Sequence, residues 1–258
     1  MAGKTKSESA KKGKARSAVK KPKVKEVEKT PLLRRLWRGL WRWVPRIALG
    51  FCAVVFAFIL LFSVVNPPFT LTIWSEARAH GGTVERQWVR IEDASMVAAR
   101  SVVAAEDANF CLHWGFDAQA IRSAIEEGAT RGASSISQQV VKNVFLWQGR
   151  SWPRKAAETL MTPLVELVWS KRRILEVYLN VAEMGDGVFG IEAAAQHHFG
   201  VSAAELNAVQ AARIAAILPA PKTRNPAEPS PWLRQRAASI RDGAATIAAD
   251  GRAACFED

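Results

Sequence analysis

Ionisable side chains gather at places in this sequence where they could transfer protons or bind anions. The first is Glu106-Asp107, which ends an apolar stretch and is followed by His113. A glutamate at the end of an apolar helix is partly removed from water, which raises its pKa and suits it to act as a general base. The alternative, which the local pattern alone favours, is an ordinary solvated carboxylate.

Two further groups follow along the chain. Residues 132–143 (GASSISQQVVKN) place small hydroxyl and amide side chains at the start of a helix. Donors near the positive end of a helix dipole suit phosphate or polyhydroxyl groups, although a plain capped helix would look the same. Residues 154–158 (RKAAE) put Lys155 and Glu158 on one helix face. The alternative there is a surface ion pair, worth under about 1 kcal/mol.

Several common catalytic patterns are missing from the sequence. It contains four histidines but no HExxH or CxxC spacing, no GxSxG and no GxxxxGK[ST]. Zinc hydrolysis, a serine nucleophile elbow and a phosphate-binding P-loop therefore have no support.

The net charge of +12 is concentrated at one end of the chain. Residues 1–46 hold sixteen basic and three acidic residues, whereas the other 212 hold twenty basic and twenty-one acidic ones. A nearly neutral remainder argues against a basic nucleic-acid groove in the folded part. Residues 1–29 lack apolar periodicity, so we expect a disordered, solvated tail, with binding to anionic lipid or nucleic acid as the alternative.

A candidate membrane span follows the tail. Residues 47–65 are nineteen uncharged, mostly apolar residues, which as a helix would reach about 28 Å across a bilayer core of about 30 Å. A buried core helix would show a polar stripe, and a signal peptide has a shorter apolar region. Trp and Arg alternate just before it, as suits the headgroup layer. The sequence therefore predicts three parts: 1–46, the span 47–65, and a domain at 66–258.

Topology follows from the same charge asymmetry. Sixteen cations precede the span and none follows it directly, so the positive-inside rule predicts a cytoplasmic N-terminus. Residues 66–258 then lie in the periplasm or outside the cell. Because that compartment is oxidising, we predict a disulfide between Cys111 and Cys255.

The domain after the span shows mostly helical periodicity. Residues 69–90 have weak strand character, and Ser202 with Glu205 forms a capping box that predicts a helix reaching Leu218. The other predicted helices cover residues 96–106, 118–127, 136–145, 154–170, 172–179, 189–198 and 231–249, the last of them beginning after Ser230. We therefore predict a single, mostly α domain.

Five ordered motifs resemble the peptidoglycan glycosyltransferases, glycosyltransferase family 51. They are EDANFCLHWGFD (106–117), GASSISQQVVKN (132–143), RKAAE (154–158), KRRILEVYLN (171–180) and GIEAAAQHHFG (190–200). No transpeptidase motif follows them, so the resemblance is to monofunctional members of the family. It implies a lysozyme-like α domain anchored by one N-terminal transmembrane helix in the bacterial inner membrane.

The resemblance also implies the reaction. Family members polymerise lipid II into glycan strands: an acceptor hydroxyl attacks the anomeric carbon of the lipid-linked donor, with inversion, and undecaprenyl pyrophosphate leaves. Implied partners are lipid II, the lipid-linked strand, the membrane, and cell-wall synthesis or division proteins, with no nucleic acid. The leaving group needs cations or a divalent metal (Mg²⁺ or Mn²⁺), and no organic cofactor is implied.

Motif positions carry the family's roles onto this chain. Glu106 is the general base, and Asp107 and His113 support its environment. Glu158 is the second carboxylate, which assists at the pyrophosphate directly or through a metal. The remaining implied ligands are cations for the pyrophosphate and donors for sugar or phosphate oxygens, namely Lys142, Arg154 and Lys155, and Ser135 and Gln139.

Other positions are implied to be structural or membrane-facing. Glu176 of the fourth motif is mainly structural, and residues 144–152 touch lipid or belong to the core. The chain has Ala133 where the family more often has Gly, and Ser135 and Ser137 where it more often has Thr. His198 stands where Tyr is commoner; it either takes over the role of a hydroxyl or faces solvent, and we expect the latter.

Two other functions remain open from the sequence alone. A lysozyme-like hydrolase would use Glu106 as a general acid, but it would have no pyrophosphate for the basic RKAAE motif to bind. A membrane-anchored wall-binding protein would work through its Lys-rich tail, and Glu106→Gln would then be silent.

Overall fold

The computed structural model describes residues 31–128 and 134–257, which form parts of two compact units, Met1–Gly50 and Phe51–Asp258. The predicted disordered tail, and Gly132 and Ala133 of the second motif, lie outside the described residues. In the first unit, every described residue is helical. These residues begin helix α1 (Pro31–Phe62), whose last turns belong to the second unit.

The predicted membrane span is part of α1. Trp41–Phe62 has a mean hydropathy of 2.4 and is long and apolar enough to cross a membrane, with 6% of its most apolar window buried by protein. The helix ends at Phe62, three residues before the predicted end of the span at Val65. Ser63 contributes to this end, because its hydroxyl donates to the carbonyl of Leu60 and competes with the helical pattern.

The second unit is built mainly of helices. After α1 they are α2 (Leu71–Ala79), α3 (Met96–Glu106), α4 (Ala118–Glu126), α5 (Ile136–Phe145), α6 (Trp152–Val168), α7 (Lys171–Val181), α8 (Ile191–Phe199), α9 (Ala208–Ile217), α10 (Pro231–Ala249) and α11 (Ala254–Glu257). The predicted mostly α fold is thus confirmed. The predicted bounds of the helices at 96–106, 136–145 and 231–249 match; Ser135 and Ser230 cap the latter two with their hydroxyls, whereas Ser95 precedes the first without a capping hydrogen bond.

Three very short strands complete the fold. β1 (Glu85–Arg86) pairs in parallel with β3 (Val188–Phe189), which pairs antiparallel with β2 (Glu183–Gly185). The predicted strand character of residues 69–90 is wrong over most of that range. Thr70 caps α2 instead, its hydroxyl accepting from the amide of Ile73 at 3.1 Å, and a local cap outweighs a weak strand propensity.

Two further predictions need correction. The capping box of Ser202 and Glu205 opens only a 3-10 turn, and Asn207 caps the separate helix α9. His198 does not face solvent: it is half-buried, and its Nε2 lies 2.9 Å from the carbonyl oxygen of Met184. The helical spacing of the sequence allowed His198 to face either solvent or the protein. The contact with Met184 of β2 holds it toward the protein.

The core holds the site-bearing helices in place. Helix α3 packs against α9 and α10, and α5 packs against α6 and α7. Val102, Val140 and Leu175 are fully buried at these contacts. The predicted disulfide between Cys111 and Cys255 is present and ties the turn after α3 to α11, a short helix that the sequence did not predict.

Candidate active site

Three helix ends bring the first three motifs together. Glu106 is the last residue of α3, Ser135 caps the start of α5, and Arg154 lies in the first turn of α6. Helix α3 stops at Asp107, whose backbone leaves the helical region, and a 3-10 turn follows at Phe110–Leu112.

Glu106 is a partly buried carboxylate held by a neutral amide. Its Oε2 accepts a hydrogen bond from Nε2 of Gln139 at 2.8 Å, and Oε1 of Gln139 lies 3.4 Å from the hydroxyl of Tyr178. Burial raises the pKa of Glu106, against the Gln139 hydrogen bond and the charges of Arg236 and Lys142. A desolvated carboxylate with raised pKa is suited to accept a proton.

Asp107 and His113 form contacts next to Glu106 in the chain. Oδ1 of buried Asp107 lies 2.7 Å from Nε2 of His113, and Oδ2 accepts from the amide of Ile136 at 3.0 Å. The second contact joins the end of α3 to the start of α5, where a carboxylate also complements the helix dipole. These contacts fix the backbone beside Glu106.

Ser135 uses its hydroxyl within the protein. Its Oγ donates to the carbonyl of Gly115 at 2.6 Å and accepts from the amide of Gln138 at 3.2 Å, within a complete capping box. Gly115 has φ +82°, and a Cβ there would lie 2.6 Å from Cγ2 of Thr162. A serine donor already engaged in this way would have to exchange partners to bind a substrate oxygen.

A buried ion pair between Glu166 and Lys171 contacts the second motif. Glu166 of α6 accepts from the hydroxyl of Ser137 and pairs with Nζ of Lys171 at 2.8 Å. Nζ of Lys171 also lies 4.4 Å from the ring centre of Phe110. These contacts link α5, α6 and α7, so this part of the fourth motif serves the fold.

Glu158 is the second carboxylate, and it lies between two cations. It is 2% exposed. Oε2 receives Nη1 of Arg154 at 2.7 Å, and Oε1 receives Nζ of Lys155, which also lies 3.2 Å from Oγ of Ser134. Arg154 is further anchored by Nε on the carbonyl of Gly149 at 2.8 Å. The pair of Lys155 and Glu158 is therefore only partly a surface pair, because Glu158 is buried while the side chain of Lys155 is 41% exposed.

Lys142 connects the two carboxylates electrostatically. Burial lowers the pKa of Lys142, and the nearby charges of Glu158 and Glu106 oppose that change. Since the charges of Arg154 and Lys155 also act on Lys142, the site brings three cations near one buried carboxylate, an excess of positive charge that suits a pyrophosphate.

Two shallow cavities flank these groups. One, of about 300 Å³, is lined by Arg150, Ser151, Trp152, Arg154 and Lys155. The other, of about 400 Å³, lies against the last turn of α3 and is lined by Ala104, Ala105, Trp232, Gln235, Arg236, Ser239 and Ile240. Arg236 and Trp232 carry no local sequence signal for this site, because they lie on α10, some 130 residues after Glu106 along the chain.

Residues 144–152 belong only in part to the core, and their contact with lipid stays a prediction. Val144 and Leu146 are buried in the core, whereas Trp147 and Trp152 are 46% and 89% exposed. Glu176 accepts from the amide of Ile91 and pairs with Arg173, contacts that hold the fold together.

The residues present do not favour a protein-held metal at the pyrophosphate side. Both oxygens of Glu158 are occupied by cations, so a divalent ion there would have to displace one of them. Asp107, His113 and Asp117 have ligand atoms within 4.8 Å of one another. However, the carboxylate oxygens of both aspartates already accept protein hydrogen bonds.

Comparison with known proteins agrees with this arrangement. The transglycosylase family model matches residues 75–245. The chain is 58% identical over 223 residues to a biosynthetic peptidoglycan transglycosylase of Jannaschia sp., covering 86% of this chain and 93% of the relative. It is 47% identical over 216 residues to one of Stutzerimonas stutzeri, covering 79% and 88%.

A third relative of the same name, from Rhodospirillum centenum, is 42% identical over 223 residues, covering 85% of this chain and 96% of the relative. The range matched by the family model, 75–245, contains the first three motifs, and the alignments cover 88% to 96% of these three relatives. The chain therefore belongs to the peptidoglycan transglycosylases of glycosyltransferase family 51, enzymes with a lysozyme-like, mostly helical domain.

Proposed function

We propose that this chain polymerises lipid II into glycan strands, with Glu106 as the general base. The observation that carries the proposal is a contrast between two carboxylates: Glu106 has a raised pKa, whereas Glu158 is paired with Arg154 and Lys155, and Lys142 interacts with the charges of both. A glycosyl transfer with a pyrophosphate leaving group needs both a base and cations.

The base acts on the acceptor sugar. Its hydroxyl proton passes to Glu106 as the oxygen forms a bond to the anomeric carbon of the donor, from the face opposite the leaving group. Gln139 holds one oxygen of Glu106, which leaves the other to take the proton. The configuration inverts because attack and departure lie on opposite faces.

The cation cluster takes the charge that leaves. As the bond between the anomeric carbon and the pyrophosphate oxygen breaks, Lys142, Arg154 and Lys155 neutralise the departing undecaprenyl pyrophosphate. Glu158 holds Arg154 and Lys155 in place before substrate arrives, and such preorganisation lowers the cost of stabilising new charge. Any Mg²⁺ or Mn²⁺ in the reaction would then enter with the substrate's diphosphate.

The same proposal places the enzyme at the bacterial inner membrane. The 22-residue stretch Trp41–Phe62 is compatible with a single-pass anchor, and the basic residues before it predict a cytoplasmic N-terminus. The catalytic domain would then lie in the periplasm, next to its lipid-linked substrate and to wall-synthesis proteins.

The decisive experiment is to mix the purified full-length chain with lipid II and measure product length. We expect long glycan strands from the wild type and polymerisation about 10² to 10⁴-fold slower from Glu106→Gln, while binding of lipid II survives. Glu126→Gln, an exposed glutamate of α4, is the matched control and should polymerise normally. Trimming of preformed peptidoglycan without polymer synthesis would instead establish the hydrolase alternative.

A further inference from the structure

The end of helix α1 has backbone carbonyls that the helix itself cannot pair. The last four carbonyls of any helix lack an intrahelical donor. Here the carbonyl of Ile59 accepts from Nε1 of Trp169 at 2.7 Å. The carbonyl of Phe62 accepts from Nε and Nη2 of Arg173, at 3.2 and 3.1 Å. Two side chains of the catalytic domain therefore cap this helix.

Arginines hold the chain just beyond the helix as well. Arg173 also donates to the carbonyl of Val65 at 2.9 Å and to Oδ1 of Asn66 at 2.9 Å. Arg86 donates to the carbonyls of Pro67 and Pro68, at 2.8 and 2.6 Å. The connection from the helix to the catalytic domain is thus bonded at nearly every residue instead of hanging as a flexible linker.

Aromatic packing reinforces these hydrogen bonds. The guanidinium carbons of Arg86 and Arg173 each lie 5.7 Å from the ring centre of Trp88, within the range of a cation–π contact. The ring of Phe62 lies 6.0 Å from that of Phe145, which lies 6.2 Å from Trp169. Phe145 ends α5, the helix that carries Gln139 and Lys142.

We propose that Trp169, Arg173 and Arg86 form an exit clamp that fixes the catalytic domain to the end of the membrane helix and so holds the active-site cleft at a set height above the bilayer. These three are positioning residues. The proposal rests on the proposed function, since height matters only when the substrate is embedded in the same membrane. Arginine suits the task because its planar guanidinium offers five donors and its charge complements the negative end of a helix dipole.

The clamp predicts a defect that depends on the bilayer. In the full chain, Arg173→Gln combined with Trp169→Phe and Arg86→Gln should slow polymerisation of lipid II in liposomes by roughly tenfold or more, since small misplacements at a site are costly. In detergent micelles, where substrate depth is not imposed, the loss should stay within about twofold. Arg241→Gln, at an exposed arginine paired with Asp242, is the control and should change neither rate.

Equal losses in liposomes and micelles, or no loss in either, would overturn the clamp. A second variant limits the question of folding: Trp169→Phe alone removes the indole donor to the carbonyl of Ile59 but keeps an aromatic ring, and it should show the same selective defect at smaller size.

A distance measurement tests the clamp without any activity. A dye is attached at Gln119→Cys in a Cys52→Ser background, and energy transfer from it to labelled lipids reports the distance between the catalytic domain and the bilayer. The chain with an intact clamp should give one narrow distribution of this distance. The clamp variants should give a broader one, and an unchanged distribution would refute the proposal. If the wild type made no polymer, the proposed function would be refuted. The distance measurement would still test the clamp, because it does not depend on activity.

Discussion

Two glutamates that both interact with the charge of Lys142, one partly buried and one buried, differ in their surroundings. Glu106 is held by the neutral amide of Gln139, and burial raises its pKa. Glu158 is held by the cations of Arg154 and Lys155. A buried carboxylate without a directly paired cation favours taking up a proton, whereas Glu158 has both of its oxygens engaged in ion pairs. The chain therefore separates a base from an electrostatic anchor by the choice of neighbour.

The largest expected effect concerns Glu106. Glu106→Gln should lower the polymerisation rate by about 10² to 10⁴-fold, the usual contribution of a general base. A raised folded-state pKa means that the folded chain loses stability as pH rises from the ordinary value of 4.5 through the raised one. Gln removes that cost, so the free energy of unfolding at pH 7 should not fall. Denaturant unfolding beside the rate assay checks both.

Glu158→Gln, unlike Glu106→Gln, should lower the free energy of unfolding. It leaves Arg154 and Lys155 without their shared counter-charge, and breaking a buried pair costs about 3 kcal/mol. The rate should also fall, by roughly 10²-fold, because the cations lose their preorganised positions. Chemical denaturation and initial rates measure these effects, with exposed Glu228→Gln as control. A stable Glu158→Gln protein would contradict the anchor role.

A smaller effect is expected from Gln139→Leu. Its amide donates to Glu106 and lowers the pKa of that carboxylate, so its removal should raise the pKa further. Since the base must be deprotonated, the acidic limb of the profile of kcat/KM against pH should move to higher pH. Gln196→Leu, on the distant helix α8, should leave the profile in place, and a shift to lower pH would exclude this account.

The smallest effect on activity is expected from breaking the disulfide. Cys111→Ser with Cys255→Ser should destabilise the chain by about 2–5 kcal/mol, because a loop spanning 144 residues is no longer closed. The bond ties down the turn that follows Glu106. Hydrogen exchange should therefore speed up around residues 107–113 and stay unchanged around 154–158. Uniform acceleration would show that the two carboxylate regions unfold as one.

Much of the site could be predicted because its signals are local. A serine before an apolar period marks the start of α5 and of α10, and the span of α1 shows in uncharged residues alone. Local patterns also failed in identifiable ways. Thr70 began a helix where strand-forming residues predominate, and the box at Ser202 closed after a single turn.

The sequence by itself determined the charge asymmetry, the apolar span, the order of the five motifs and most helix starts, because each depends on residues within a few positions of one another. Tertiary structure alone decided that Gln139 faces Glu106, that Arg236 adds its charge from α10, and that Trp169 and Arg173 cap α1. Such contacts join residues that are 30 to 130 positions apart, and only the packing of helices on a shared core sets their distances.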